Sequence, residues 1–150
     1  MGDEHLLLSP ASGRAYGRSG EVIYWAEFTE DLILLPSAER DETTNSPDQV
    51  NHCGRGVHVV LNVTATEGSP SITLKVQGKD PASGEYYDIL TGAAVTAVST
   101  NVYKVHPHIE AVTNEAAKDI LPRTWRVAVA YTGTPDTDKI TCSVGASVVR

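Results

Sequence analysis

The chain of 150 residues carries two cysteines, one phenylalanine and one methionine. Cys53 and Cys142 are too few for the disulfide framework of a small secreted domain. Nothing in the sequence sets them side by side, so two free thiols are expected. Cys142 lies on an apolar strand face, where it acts as a small core residue, and Cys53 falls in a polar turn. No apolar run approaches the ~20 residues of a membrane helix. Leu6–Leu8 is too short even for the core of a signal peptide, so no membrane partner is expected. Basic residues are also scarce: 12 against 19 acids, a net charge of −7. Residues 1–50 hold ten acids and three bases, whereas residues 51–150 balance nine against nine. An acidic N-terminal third repels phosphate, which disfavours direct nucleic-acid binding.

The plentiful residues are Val, Thr, Ala and Ser, which suit pleated sheets better than helical bundles. Val57, Val59, Leu61 and Val63 point one way, and His58, Asn62 and Thr64 the other. Ile72, Leu74 and Val76 do the same, as do Ile140, Cys142, Val144, Ala146 and Val148; Trp125, Val127, Val129 and Tyr131 repeat the spacing, although Ala128 and Ala130 soften the opposite face. Period 2 places each set on one face of a strand. Two hairpins are expected, 56–66 with 71–78 through Glu67-Gly68-Ser69-Pro70, and 123–131 with 139–149 through Gly133-Thr134-Pro135-Asp136. Shorter strands are expected at Arg40–Thr44, Tyr86–Leu90, Ala94–Val98 and Val102–His106. Ile109, Val112 and Ala116 allow a helical turn within 109–121, stopped by Pro122. The fold class is all-β, an antiparallel β-sandwich or barrel of about seven or eight short strands with an extended N-terminal arm.

The arm spans residues 1–29 and the sandwich domain residues 30–150. Ser9-Pro10 and glycines 13, 17 and 20 are expected to break regular structure in residues 1–20. Residues 21–35, EVIYWAEFTEDLILL, then concentrate large apolar side chains. They either add a strand to the chain's own sheet or dock on a neighbouring subunit. Tyr24, Trp25, Phe28, Leu32 and Ile33 are the candidate interface anchors.

Signals for chemistry are weak. His106-Pro107-His108 with Glu110, and His52-Cys53, lack the spacing of a metal set. Asp136-Thr137-Asp138 resembles the start of a calcium loop without its glycine and distal glutamate. Asp80 and Asp88, with Glu85 between them, offer a carboxylate pair, and Tyr86 and Tyr87 a sugar-stacking platform, beside the plainer reading of a solvated turn. His58 is placed on an outward strand face. Asn62-Val63-Thr64 matches a glycosylation sequon inside a strand. No GxSxG, P-loop, GxGxxG or Cys/His dyad with family spacing occurs. No catalytic residue, cofactor or metal site is therefore expected.

From residue 34 to residue 149 the order of phrases is familiar: LLPSAERDETTNSPDQ, GRGVHVVLNVTA, VQGKDPASGEYYDIL, VYKVHPHIE, LPRTWRVAV and ITCSVGAS. It resembles small β-rich virion structural proteins of tailed bacteriophages. Residues 1–30 fall outside the resemblance. It implies a non-enzymatic virion protein, most simply a capsid decoration (cement) protein on the outer surface of the major capsid protein lattice. Other copies of the chain, as a trimer, are the second implied partner. A tail or head–tail connector component is the alternative, and a carbohydrate-binding module using Tyr86, Tyr87 or Trp25 a lesser one.

Overall fold

The computed structural model describes residues 30–150 in full and, within residues 1–29, the backbone of three strands. These are β1 (Leu7–Ser9), β2 (Arg14–Tyr16) and β3 (Val22–Tyr24). They pair antiparallel in the order β1-β2-β3. The expectation that breakers exclude regular structure from residues 1–20 is therefore corrected. Ser9 closes β1, paired with Arg14, while Pro10 and the glycines fall between the paired segments in sequence, so they punctuate strands instead of preventing them.

Ten further strands form two sheets. β4 (Glu30–Arg40), β5 (Thr44–Asn45), β6 (Gln49–Val50), β7 (Gly56–Glu67) and β8 (Ser71–Lys79) are followed by β9 (Tyr86–Thr91) and β10 (Ser99–Val105). β11 (Ala116–Ala117), β12 (Thr124–Thr132) and β13 (Lys139–Val149) complete the set. The first sheet runs β11-β10-β7-β13-β4. The second runs β5-β12-β8-β9, with β6 also on β12. Pairing is antiparallel except between β10 and β11. The fold is an open sandwich, not a closed barrel, and the described residues contain no helix.

Alternation sets the core. Val57, Val59, Leu61 and Val63 of β7 and Ile140, Cys142 and Val144 of β13 point inward from the first sheet. They meet Ile72, Leu74 and Val76 of β8 and Trp125, Val127 and Val129 of β12. Trp125 is 0% exposed, as its alternation predicts. Cys142 is buried and Cys53 exposed, and both are free. Burial raises the Cys142 thiol pKa, against a smaller lowering by Arg40.

The two expected hairpins are corrected. β7 and β8 lie in different sheets, and so do β12 and β13. β7 pairs with β13 and β8 with β12. Both short connections are arches that carry the chain across the core at one end of the sandwich. The same alternation serves either arrangement, so periodicity cannot choose the partner. The arches are joined by Asp138. Its Oδ1 accepts the Ser69 amide at 2.8 Å, and its Oδ2 accepts the Thr134 amide at 2.8 Å. Gly68 adopts φ +74°, and a Cβ there would collide with the Asp138 carboxylate. Tyr131 Oη donates to the Asp138 carbonyl at 2.6 Å.

The hydrogen bonds from Ser69 and then Thr134 hold the Asp138 carboxyl below its ordinary 3.8. A depressed folded-state pKa contributes stability above the unfolded-state value, and this is lost as pH falls through the folded-state one. Asp138→Ala should therefore lower the melting temperature at pH 7 and make little difference at about pH 2. Thermal melts of both proteins at the two pH values check it. An equal deficit at both would mean that the carboxylate charge is not what ties the arches.

Three shorter elements also differ from expectation. Residues 40–44 are not a strand; β4 ends at Arg40, and β5 starts after a bend over residues 41–42. Residues 94–98 contribute a single bridge, Ile72 to Val95. Residues 109–121 form no helical turn. Asn114 takes φ +63°, Val112 bridges to Ala116, and the backbone of 115–117 bonds to β10. A β-branched pair, Val112-Thr113, before a left-handed asparagine favours a turn over a helix.

Candidate interface on the first sheet

The outer face of the first sheet is read row by row from strand register. Val102 of β10 pairs with Val60 of β7, Val60 with Gly145 of β13, and Gly145 with Ile33 of β4. This makes an apolar row across four strands on the solvent side. Ile33 is 81% exposed and Val102 39%. Rows of small or polar residues flank it. On one side are Thr100, Asn62 and Ser143. On the other are Lys104, His58, Ser147 and Asp31. That second row runs from a cation on β10 to a carboxylate on β4, where Asp31 accepts from Ser147 Oγ at 2.6 Å.

A side chain of 81% exposure on the middle of a strand gains nothing from its own core. An exposed apolar row with polar flanks has the composition of an interaction surface. Register explains why Ile33 and its neighbour diverge. Leu32 pairs with inward-facing Ala146 and packs partly buried against the core, while Ile33 pairs with outward-facing Gly145. Register shifts beside Val144 then bring both Leu34 and Leu35 into the core. Pro36 lies in β4, which forms the edge of the sheet, where a missing N–H is tolerated. Tyr24 falls in β3, and Trp25 and Phe28 lie outside the described residues.

The tyrosine platform is corrected by the second sheet. Successive residues of β9 face opposite sides. Tyr87 lies over Gly78, where any Cβ would strike its ring. Tyr86 is on the other side, beneath the Arg126 guanidinium at 3.4 Å from the ring centroid. Its hydroxyl donates to Asp48 at 2.7 Å, and Lys79 pairs with the same carboxylate at 2.9 Å. Arg126 Nε also donates to Gln77 at 2.9 Å. A ring face covered by guanidinium is not open to a sugar. The carboxylates do not form a pair either. Asp80 accepts from Ser83 at 2.7 Å and from the Ala82 amide at 3.0 Å, within its own turn. Asp88 accepts from Gln77 at 2.8 Å and pairs with Lys75 at 3.4 Å. The hydrogen bonds from Lys79 and Tyr86 lower the Asp48 pKa, and those from Ser83 and Ala82 lower that of Asp80.

The histidines are also accounted for. His106 and His108 rings lie 5.5 Å apart. The His108 amide donates to His106 Nδ1 at 3.1 Å, and His106 Nε2 lies 3.0 Å from the Arg150 carbonyl, which can only accept. Arg55 approaches His108 Nε2 at 3.4 Å. Among the described residues no group of three His, Cys, Asp or Glu could hold a metal ion. His58 is exposed on the outer face, as expected, and His52 and Cys53 lie exposed in the turn. Asn62 is half-buried and accepts from Thr100 Oγ1 at 3.1 Å.

The apolar row itself was not foreseen. Its one sequence signal is Val59-Val60-Leu61, where an apolar residue replaces the polar member of the alternation. No family model, curated protein or solved structure matches this chain.

Proposed function

We propose that this chain is a non-enzymatic virion structural protein that decorates a capsid, with the outer face of the first sheet and residues 1–29 as its attachment surfaces. The observation that carries the reading is the row Val102–Val60–Gly145–Ile33, an apolar strip at the middle of an otherwise small and polar sheet face. It starts three residues after Glu30, where the arm enters the sandwich. A sheet face and an arm that join in the chain at Glu30 give one protein two attachment elements, as bridging the subunits of a lattice requires. The resemblance of residues 34–149 to phage virion proteins supports the same reading. The partner is then the major capsid protein, with further copies of the chain in a trimer around it, on the particle surface.

Ile33→Asp tests the face. The side chain is exposed, so the melting temperature should hold within the small range typical of surface changes. Co-sedimentation with particles lacking the protein should weaken by about tenfold or more, the equivalent of ~1.4 kcal/mol. Undiminished co-sedimentation would remove the sheet face from the attachment surface. A tail or connector location remains the second reading, since the same face could meet a tail ring.

A further inference from the structure

The two sides of the first sheet end differently. β4 carries Glu30, Asp31, Pro36, Glu39 and Arg40, the charges and proline that keep an exposed edge from pairing. On the other side β11 covers β10 only at Lys104 and Val105. The uncovered part of β10, residues 99–103, holds neither charge nor proline. Beside it lies a cleft of about 550 Å³, lined by exposed Ala93, Ala94, Thr100, Val102, Asn114 and Glu115. We infer that this cleft takes an extended segment of a partner protein as an added strand on β10, with a basic residue of that segment against Glu115.

Three observations select a strand as the occupant. The first is the direction of the backbone. The Lys104 amide donates to Glu115 and the His106 amide to Ala117, so even-numbered residues of β10 turn their polar groups to this edge and odd-numbered ones to β7. Thr100 and Val102 therefore each present an amide and a carbonyl to the cleft, with no partner among the described residues. Residues 99–102 span ~13 Å, room for about four residues of an added strand. The second is Tyr103, on the inner side of the cleft. It is only 4% exposed, yet its hydroxyl has no hydrogen-bond partner among the described residues. A hydroxyl or amide side chain entering the cleft satisfies it. The third is charge. Glu115 is the one charged residue of the lining, and among the described residues no cation pairs with it.

Such a strand deepens the attachment reading, from which it takes only the identity of the partner, the capsid lattice protein. Its side chains alternate between the two sides of the sheet. Those beside Thr100 and Val102 face outward and lengthen the row Val102–Val60–Gly145–Ile33, so apolar residues suit them. Those between them face inward toward Ala93, Ala94 and the Tyr103 hydroxyl, where small polar residues fit. Main-chain bonds then give affinity, and the alternate side chains and the basic end give selectivity.

Amide hydrogen exchange on the full chain tests the cleft without particles, with the acetylated and amidated peptide KTVTVTK as probe and KTPTPTK as control. The Thr100 and Val102 amides should exchange fast in the free protein and about tenfold more slowly once nine-tenths of it is bound to KTVTVTK. KTPTPTK lacks the amides that a strand needs and should leave them fast. Thr100→Pro removes an N–H that faces the free edge and none that meets β7, so circular dichroism should hold while KTVTVTK binds about tenfold more weakly. Glu115→Lys spares β11, whose bond from the Lys104 amide uses the Glu115 carbonyl, and should weaken the peptide about threefold at low salt. Amides already protected in the free protein would mean that another part of the chain closes this edge, and would overturn the inference. So would unchanged exchange in excess KTVTVTK, or equal effects of the two peptides, which would reduce the contact to charge. Slowed exchange with KTVTVTK, together with undiminished co-sedimentation of Thr100→Pro with particles, would support the strand site and overturn the lattice protein as its partner.

Discussion

Trp125→Ala should lower the stability of the sandwich by about 3–5 kcal/mol, the range of large aromatic truncations in a core. The residue sits on β12 between β8 and β6, paired with Gly78 on one side and Gln49 on the other. It is the largest fully buried side chain among the described residues, and Gly78 leaves the space that Tyr87 partly fills. Removing the indole leaves a cavity between two sheets that cannot close without moving both. The melting temperature should fall by roughly 10–20 °C. The indole Nε1 has no hydrogen-bond partner among the described residues. Trp125→Phe should therefore cost much less than Trp125→Ala, because packing and not a hydrogen bond is what the residue supplies. Equal losses for the two substitutions would contradict that division.

Deleting residues 1–29 should leave the sandwich folded and its attachment to particles weakened by at least about thirtyfold, as loss of one or more anchors of ~2 kcal/mol implies. The fold should survive because, among the described residues, the fully buried core starts at Leu34. The deletion takes away the β1–β3 unit together with Tyr24, Trp25 and Phe28. Circular dichroism and melting of the truncated chain separate the two outcomes from misfolding. Glu21, Glu27, Glu30 and Asp31 should make the attachment of the full chain weaker at high salt where they meet basic groups on the partner. Unweakened binding by the folded truncation would leave the sheet face as the sole attachment surface. Failure to fold would assign the arm to the sandwich itself.

Much of the fold was legible because one face of nearly every long strand is buried. Val57–Val63, Ile72–Val76, Trp125–Val129 and Ile140–Val148 each keep the alternation that burial on one side imposes. What alternation does not encode is which strand lies beside which. Three-residue and six-residue connections suit a hairpin or an arch, and the deciding contact, Asp138 on the Ser69 amide, spans 69 residues. β4 was hidden for a different reason. It runs through Pro36 and brings Leu34 and Leu35 to the same side, so neither composition nor period 2 marks it as one element. The helical spacing of Ile109, Val112 and Ala116 was accidental. The backbone there satisfies itself against β10, with Lys104 donating to Glu115 and His106 to Ala117.

The candidate interface was half legible. Ile33 stands among the candidate interface anchors, in a run of four apolar residues, and it is the most exposed large hydrophobic among the described residues. Its partners Val60, Val102 and Gly145 come from three other strands and meet it only through register. The tyrosines misled because adjacency in sequence means opposite faces in a strand, and Arg126, which covers Tyr86, is 40 residues away in the chain.

The most direct test of the central claim is to image purified particles with and without this protein at a resolution that places a sandwich of this size. The account predicts added density on the outer capsid surface, with the β4–β13–β7–β10 face turned toward the lattice and the β1–β3 unit in contact with a neighbouring subunit. Density confined to the tail or the connector would contradict capsid decoration, and identical particles with no bound copy would contradict a virion role altogether.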